Sequence, residues 1–263
     1  MIERCALQYL KQWKNSKDHK PLIIRGARQV GKTTLVNQFA FEFDNYLYVN
    51  LDRERDLNLF KEDDVLTLLD KIHIHCKKQK KDGNTLLFID EIQNSPKAVK
   101  LLRYFKEETP ELYVIAAGSL LETLIDTHIS FPVGRVEYMA LRPCSFVEFL
   151  NGIGEVFDAE VVRALKADAI HERLMNHFLN YILVGGMPEA IMKYAEKRDI
   201  LSVNKIYNTF MNAYSDDVLK YAHNKTMSAV IRHSLKEGWA YAAEPISFNK
   251  FAESNYRSRE IGE

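Results

Sequence analysis

Charge of one sign is in no surplus: 36 lysines and arginines stand against 36 aspartates and glutamates in 263 residues. A net charge of zero excludes a global electrostatic pull toward nucleic acid, while leaving room for a local basic patch. Cysteine is scarce. Cys5, Cys76 and Cys144 are far apart and odd in number, which supports neither a zinc site nor a disulfide framework. Histidines are scattered, and His73 and His75, two apart, would point to different faces of a helix rather than pair on a metal. No apolar run approaches the ~20 residues that cross a bilayer. Met1 to Lys17 is amphipathic and mixed in charge, without the apolar core and small-residue cleavage site of a secretory signal. Internal repeats and low-complexity segments are missing too. The expectation is a cytoplasmic chain in a reducing setting, with no membrane partner.

What is present suits a globular protein. Hydrophobic residues make up 46% and charged residues 27%, enough to fill a sizeable core. The length fits one large domain, or one domain with a smaller appendage. Ile2, Leu7, Leu10 and Trp13 suggest an opening helix. Short, nearly continuous apolar runs predict strands at Pro21 to Arg25, Tyr46 to Leu51, Thr85 to Ile89, Leu112 to Ala117 and Val136 to Leu141. Between them, helical spacing predicts helices at 32–43, at about 63–78 and after Pro96, a residue well placed near a helix start. Asp82-Gly83-Asn84 reads as a turn. Lys77, Lys78, Lys80 and Lys81 cluster where the second of these helices should end, and cations there complement the helix dipole. Alternating strands and helices indicate a parallel sheet covered on both faces. From Ser145 the pattern turns helical, at about 145–150, 159–184, 187–197, 200–221 and 226–238. The reading is an α/β core of about five strands over 1–150, a helical lid over 151–240, and a third segment over 241–263.

Gly26-Ala27-Arg28-Gln29-Val30-Gly31-Lys32-Thr33, continuing to Thr34, matches G-x-x-x-x-G-K-[ST] between a predicted strand and a predicted helix. The glycines permit a tight turn whose backbone N–H groups face an anion, and the helix adds its positive dipole end. Lys32 would reach the β- and γ-phosphates of ATP, and Thr33 would offer its hydroxyl to Mg2+. Leu86-Leu87-Phe88-Ile89-Asp90-Glu91 is an apolar strand ending in two carboxylates. In a parallel sheet it delivers them to the same edge as the loop. Asp90 would hold Mg2+, and Glu91 would orient and deprotonate a water aimed at the γ-phosphate.

These stretches, together with Ile92-Gln93, Ala117-Gly118-Ser119, Gly134-Arg135, Leu141-Arg142-Pro143 with Ser145-Phe146, and Gly185-Gly186-Met187-Pro188, make the sequence resemble an AAA-type P-loop ATPase. The resemblance is to the bacterial and archaeal family with an N-terminal AAA domain and a C-terminal nuclease-like domain of unknown function. It implies further roles. Ser119 stands where such proteins place a polar sensor, although a plain helix N-cap before Leu120 competes. Arg135 resembles the family's arginine-finger segment, which often acts across a subunit boundary; a surface salt bridge competes. Gly186 and Pro188 belong to a motif that resembles the one replacing the second sensor arginine in signal-transduction-type relatives. It would cover the nucleotide base, and a helix-to-helix turn competes.

Ser247 to Glu263 resembles the start of a winged helix-turn-helix, so the chain is expected to end inside that module. The resemblance raises a homo-oligomer and, through the incomplete helix-turn-helix, DNA as partners; Arg257 and Arg259 beside Glu260 are weak support. The functional expectation is an ATP-hydrolysing, nucleotide-controlled switch in a larger assembly. A module that holds ATP without turning it over is the rival, and Glu91 argues against it. A kinase is disfavoured because no second Lys/Arg-rich lid over an acceptor pocket is legible.

Overall fold

The computed structural model describes residues 2–80, 84–119, 134–222, 224–241 and 245. The chain divides into two compact units, Met1–Glu196 and Lys197–Glu263. In the first, strands β1 (Leu22–Arg25), β2 (Asn45–Asn50), β3 (Thr85–Asp90), β4 (Tyr113–Gly118) and β5 (Glu137–Ala140) make one sheet. Their order is β2-β3-β4-β1-β5, and every neighbouring pair is parallel. This is the expected P-loop α/β sheet, each strand lying within about a residue of its apolar run.

The sheet's two faces sort the side chains. Ile23, Leu87, Ile89 and Ala116 join one core, and their neighbours Leu22, Ile24, Leu86, Phe88, Ile115 and Ala117 join the other. The period of two explains this, and both faces must be covered because both are apolar. Helices α4 (Val65–His75) and α5 (Pro96–Glu108) cover the first face with Leu68, Leu69, Ile72, Leu102 and Phe105. Helices α1 (Ala6–Lys14) and α2 (Lys32–Phe39) cover the second with Leu10, Trp13, Leu35, Val36 and Phe39. Each such side chain, fully buried, contributes about 1.5–3 kcal/mol. A short helix α3 (Glu54–Leu57) lies in the charged stretch after β2, where no helix was legible.

Caps explain where the helices begin. Asp64 accepts the Thr67 N–H ahead of α4 at 2.8 Å, and Ser95 accepts the Ala98 N–H ahead of α5 at 3.1 Å, with Pro96 at the helix start. Ser145 and Glu148 form a capping box at α6 (Phe146–Gly152). Next come α7 (Val156–Arg163), α8 (His171–Val184) and α9 (Pro188–Lys197). The continuous helix expected over 159–184 is thus broken. Leu165 adopts φ 54, and the Leu165 and Lys166 N–H groups turn back to the carbonyls of Val162 and Val161. These bonds close a helix end that carries no glycine or proline.

The second unit contains α10 (Asn204–Tyr221) and α11 (Lys225–Glu237), the latter capped by Asn224, which accepts the Met227 N–H at 2.7 Å. Asp82, Gly83, Lys81 and the predicted helix-turn-helix over 247–263 lie outside the described residues. Among the described residues no helix is long and apolar enough to cross a membrane.

Candidate functional site

Parallel strands put their C-terminal ends at one edge, and the loops that follow β1, β3 and β4 gather there. β1 ends at Arg25, whose carbonyl accepts the Leu141 N–H at 2.7 Å. The chain then turns sharply at Gly26. A Cβ at Gly26 would stand 2.2 Å from the Leu141 carbonyl oxygen, so no larger residue fits. Ala27, Arg28, Gln29 and Val30 carry the loop to Gly31, which caps α2 at φ 92. Val30 is fully buried, whereas Ala27, Gln29 and Thr34 are exposed. Lys32 opens α2 and folds back over the loop: its Nζ donates to the carbonyls of Gly26 at 2.8 Å and Ala27 at 2.9 Å. Burial lowers its pKa, and the carboxylates of Glu91 and Asp90 pull the other way.

The acidic strand end meets the loop directly. Thr33 donates from Oγ1 to Asp90 Oδ2 at 2.9 Å. The Tyr48 hydroxyl donates to the same oxygen at 3.3 Å, and the Glu91 N–H donates to Asp90 Oδ1 at 3.1 Å. Asp90 is buried, and desolvation raises its pKa against the opposing pull of Thr33, the Glu91 N–H, Tyr48 and Lys32. Glu91 adopts φ 53, a left-handed conformation that costs a non-glycine residue about 1–2 kcal/mol. Its carboxylate accepts a hydrogen bond from the Gln93 amide.

The other predicted residues divide. Ser119 follows Gly118, the β4 partner of Arg25, so it stands at the same edge. Its Oγ is buried with no hydrogen-bond partner among the described residues. Leu120, on which the N-cap reading depends, lies outside the described residues. Gly186 packs against the segment after β5: a Cβ there would stand 2.6 Å from the Cys144 carbonyl oxygen, and the Gly186 carbonyl accepts the Cys144 N–H at 2.7 Å. Pro188 reaches the phosphate loop, its Cγ 3.8 Å from where a Gly31 Cβ would sit. Arg135 is the exception. It precedes β5, at the opposite edge of the sheet, and its Nη2 pairs with Glu107 Oε1 at 3.3 Å. The fold does not bring it to the phosphate loop of its own chain.

Two participants were not legible beforehand. Tyr48 reads as one aromatic in a strand, and only the β2–β3 pairing puts its hydroxyl on Asp90. Arg4 belongs to no motif of the sequence, yet it is 7% exposed. It donates from Nε to Glu148 Oε1 at 3.1 Å, from Nη1 to the Val30 carbonyl at 2.8 Å, and from Nη2 to the Arg142 carbonyl at 2.6 Å. Burial by itself would raise the pKa of Glu148. The N–H groups of Ser145 and Cys5 and the Arg4 guanidinium outweigh that, and the carboxyl ends below its usual range.

The residues at this edge fit a triphosphate with a hard divalent cation. Thr33 and Asp90 offer oxygen ligands side by side, Lys32 supplies a cation, and Ser119, after the β4 end at the same edge, has a hydroxyl with no partner among the described residues. Among solved structures, the Walker-type ATPase PABY2304 of Pyrococcus abyssi shares the fold at 15% identity, with a TM-score of 0.55 over 94% of this chain and 85% of that one. The Aeropyrum pernix ORC1 protein, solved in complex with DNA, aligns at 13% identity with a TM-score of 0.45, covering 100% of this chain and 81% of that one. No curated protein matches the chain in sequence. The model of the AAA domain family matches residues 18–150, the stretch that holds the whole sheet, the phosphate loop and the acidic strand end, and the chain belongs to that family.

Proposed function

We propose that the chain binds ATP with Mg2+ and hydrolyses it, acting as a nucleotide-controlled switch in a larger assembly. The observation that carries this reading is the 2.9 Å contact between the Thr33 hydroxyl and the Asp90 carboxylate, made beside Lys32. It joins two sequence-distant motifs into one oxygen-rich corner. Backbone N–H groups of Gly26 to Thr34 cradle the phosphates, and α2 adds its dipole. Lys32 exchanges the carbonyls of Gly26 and Ala27 for the β- and γ-phosphates. Thr33 and Asp90 hold Mg2+, which when bound neutralises charge on the phosphate oxygens. Glu91 accepts the proton of a water aligned with the γ-phosphate, and Ser119 donates to that water or to the phosphate.

Gly186 and Pro188 cover the base from the helical side, in keeping with the place of Pro188 beside Gly31. In this reading residues 1–150 form the ATPase core, 151–240 the lid and 241–263 the start of a helix-turn-helix. Arg135, on the far edge of the sheet, serves the site of a neighbouring copy in a homo-oligomer, where a guanidinium stabilises charge on the transferring phosphoryl group. A cytoplasmic, DNA-linked role rests on the family resemblance alone.

One observation favours the alternative, an ATP-holding module without turnover: the Glu91 carboxylate is engaged by Gln93. Phosphate release separates the two. The native chain is expected to release phosphate, with Glu91→Gln slower by about 100-fold or more while still binding ATP, and Lys32→Ala losing nucleotide affinity. Release from the native chain no greater than from Glu91→Gln, both at background, would favour the module reading. Unchanged affinity in Lys32→Ala would overturn both.

A further inference from the structure

The peptide between Val30 and Gly31 is the last of the loop before α2. Gly31 sits at φ 92, where a glycine meets little resistance to rotation, so the preceding peptide plane has little of its own to hold it. A trans peptide carries its C=O and N–H on opposite sides, and the chain has no cis peptide among its described residues. Whatever holds the Val30 carbonyl outward therefore aims the Gly31 N–H inward, at the phosphate position. If the plane turned over, a carbonyl oxygen would face the phosphate, replacing an attraction by a repulsion.

The Arg4 guanidinium is what holds that carbonyl. Its Nη1 donates to Val30 O at 2.8 Å in a buried setting. The guanidinium is itself pinned on two other segments, by Glu148 Oε1 at 3.1 Å and the Arg142 carbonyl at 2.6 Å. Glu148 is immobilised in turn by the N–H groups of Cys5 at 2.7 Å and Ser145 at 2.8 Å. Three directions at fixed angles suit a planar fork; a lysine ammonium at the end of a flexible stem would not span them. We propose that Arg4 is a positioning residue for phosphate binding: it latches the Val30–Gly31 peptide in the orientation that presents the Gly31 N–H. The proposal rests on the phosphate-loop reading above. It adds that nucleotide affinity depends on a residue outside the loop, acting through the Val30 carbonyl.

The test measures binding of a fluorescent ADP analogue with Mg2+, and of inorganic pyrophosphate by competition. The variants are the native chain, Lys32→Ala, Arg4→Lys, and Arg4→Gln combined with Glu148→Gln so that no lone charge stays buried. Titrations run well below each variant's melting temperature. The latch predicts a loss of about 10-fold or more for both ligands in both Arg4 variants, the scale of one hydrogen bond to a charged group. Native affinity in the folded Arg4 variants, with only melting lowered, would mean a merely structural ion pair and overturns the latch.

Amide hydrogen exchange on the native chain keeps the proposal testable if those variants fold poorly. ADP should slow exchange at Gly31 and, through Arg4 and Glu148, at Cys5; an unaffected Cys5 overturns the latch. The two readings fail differently. If the native chain binds neither ligand, or Lys32→Ala binds both as well as native, the phosphate-loop reading falls and takes the latch with it. If Lys32→Ala loses both ligands while the Arg4 variants keep them, only the latch falls.

Discussion

Burial of Asp90 works against its charged form. Three hydrogen bonds converge on it, yet desolvation keeps its pKa above the ordinary aspartate value. A carboxyl whose folded pKa exceeds its unfolded one contributes stability that is present below the unfolded value, about 3.9, and lost as pH rises through the folded one. Above its folded pKa the charged group is therefore a net burden on the nucleotide-free chain. Asp90→Asn is expected to raise the melting temperature at pH 7, with the gain shrinking as pH is lowered toward 4. The same variant should lose the Mg2+ dependence of nucleotide affinity. Thermal melts across pH and titrations with and without Mg2+ check both halves; a lowered melting temperature at pH 7 would show that the hydrogen bonds outweigh the burial. Glu148 is the counter-example. It is buried too, but its donors win and its pKa falls, so its stabilisation persists until acid protonates it. Of the predicted phosphate-site residues, the loop and the acidic pair were legible because their chemistry demands glycines, Lys32 and paired carboxylates at set spacings. Tyr48 and Arg4 were not, since a tyrosine or an arginine carries no such signature until its neighbours are known.

At the scale of the element, several helices, α4 and α7 among them, end in the left-handed region on a residue poorly suited to it. Lys77 closes α4 at φ 54, with the Lys78 N–H returning to the His73 carbonyl. Leu165 closes α7 at the same angle and is 91% exposed, so its side chain gains almost nothing from packing. Both ends have the bond pattern that glycine usually occupies. Leu165→Gly is expected to stabilise the chain by about 1 kcal/mol, the cost a left-handed conformation imposes on a β-carbon, offset in part by glycine's greater freedom when unfolded. A denaturant titration measures it, and an unchanged or lower midpoint would count against the cap geometry. The same position explains why the helix over 159–184 was expected to run unbroken. Apolar spacing continues across 164–166, and the turn is closed by backbone bonds that no residue type announces. The strands were easier to place. A strand buried on both faces needs an unbroken apolar run, and β3, buried at all six positions, has one.

At the scale of the whole molecule, the sheet separates Arg135 from the phosphate loop of its own chain and leaves it in the surface salt bridge that competed with the arginine-finger expectation. β5 lies beside β1 and runs parallel to it, so a residue before β5 and a residue after β1 stand at opposite edges. Any role for Arg135 in phosphoryl transfer then requires a second copy. The specific ATPase activity of the native chain is expected to rise with protein concentration, and that of Arg135→Ala to stay flat at the low-concentration value. The half-exposed pair with Glu107 is worth at most about 1 kcal/mol, so the melting temperature should barely move. Turnover measured across a range of concentrations, alongside mass determination with and without ATP, tests this. A concentration-independent native rate would leave Arg135 as a surface ion pair.

The sequence by itself determined the fold class, the phosphate loop and the acidic strand end. Local rules govern these: apolar runs set the strands, and a phosphate cradle leaves little choice of residue at Gly26, Gly31, Lys32 and Thr33. The tertiary structure alone decided the strand order, and with it which side chains meet. It put the Thr33 hydroxyl and the Tyr48 hydroxyl on one carboxylate oxygen, carried Arg135 to the far edge, and buried Arg4 against the loop. Those outcomes depend on contacts between residues as much as 144 positions apart, as Arg4 and Glu148 are. No local pattern encodes such a distance; it emerges when both faces of the sheet are covered and the chain's polar groups must find their partners.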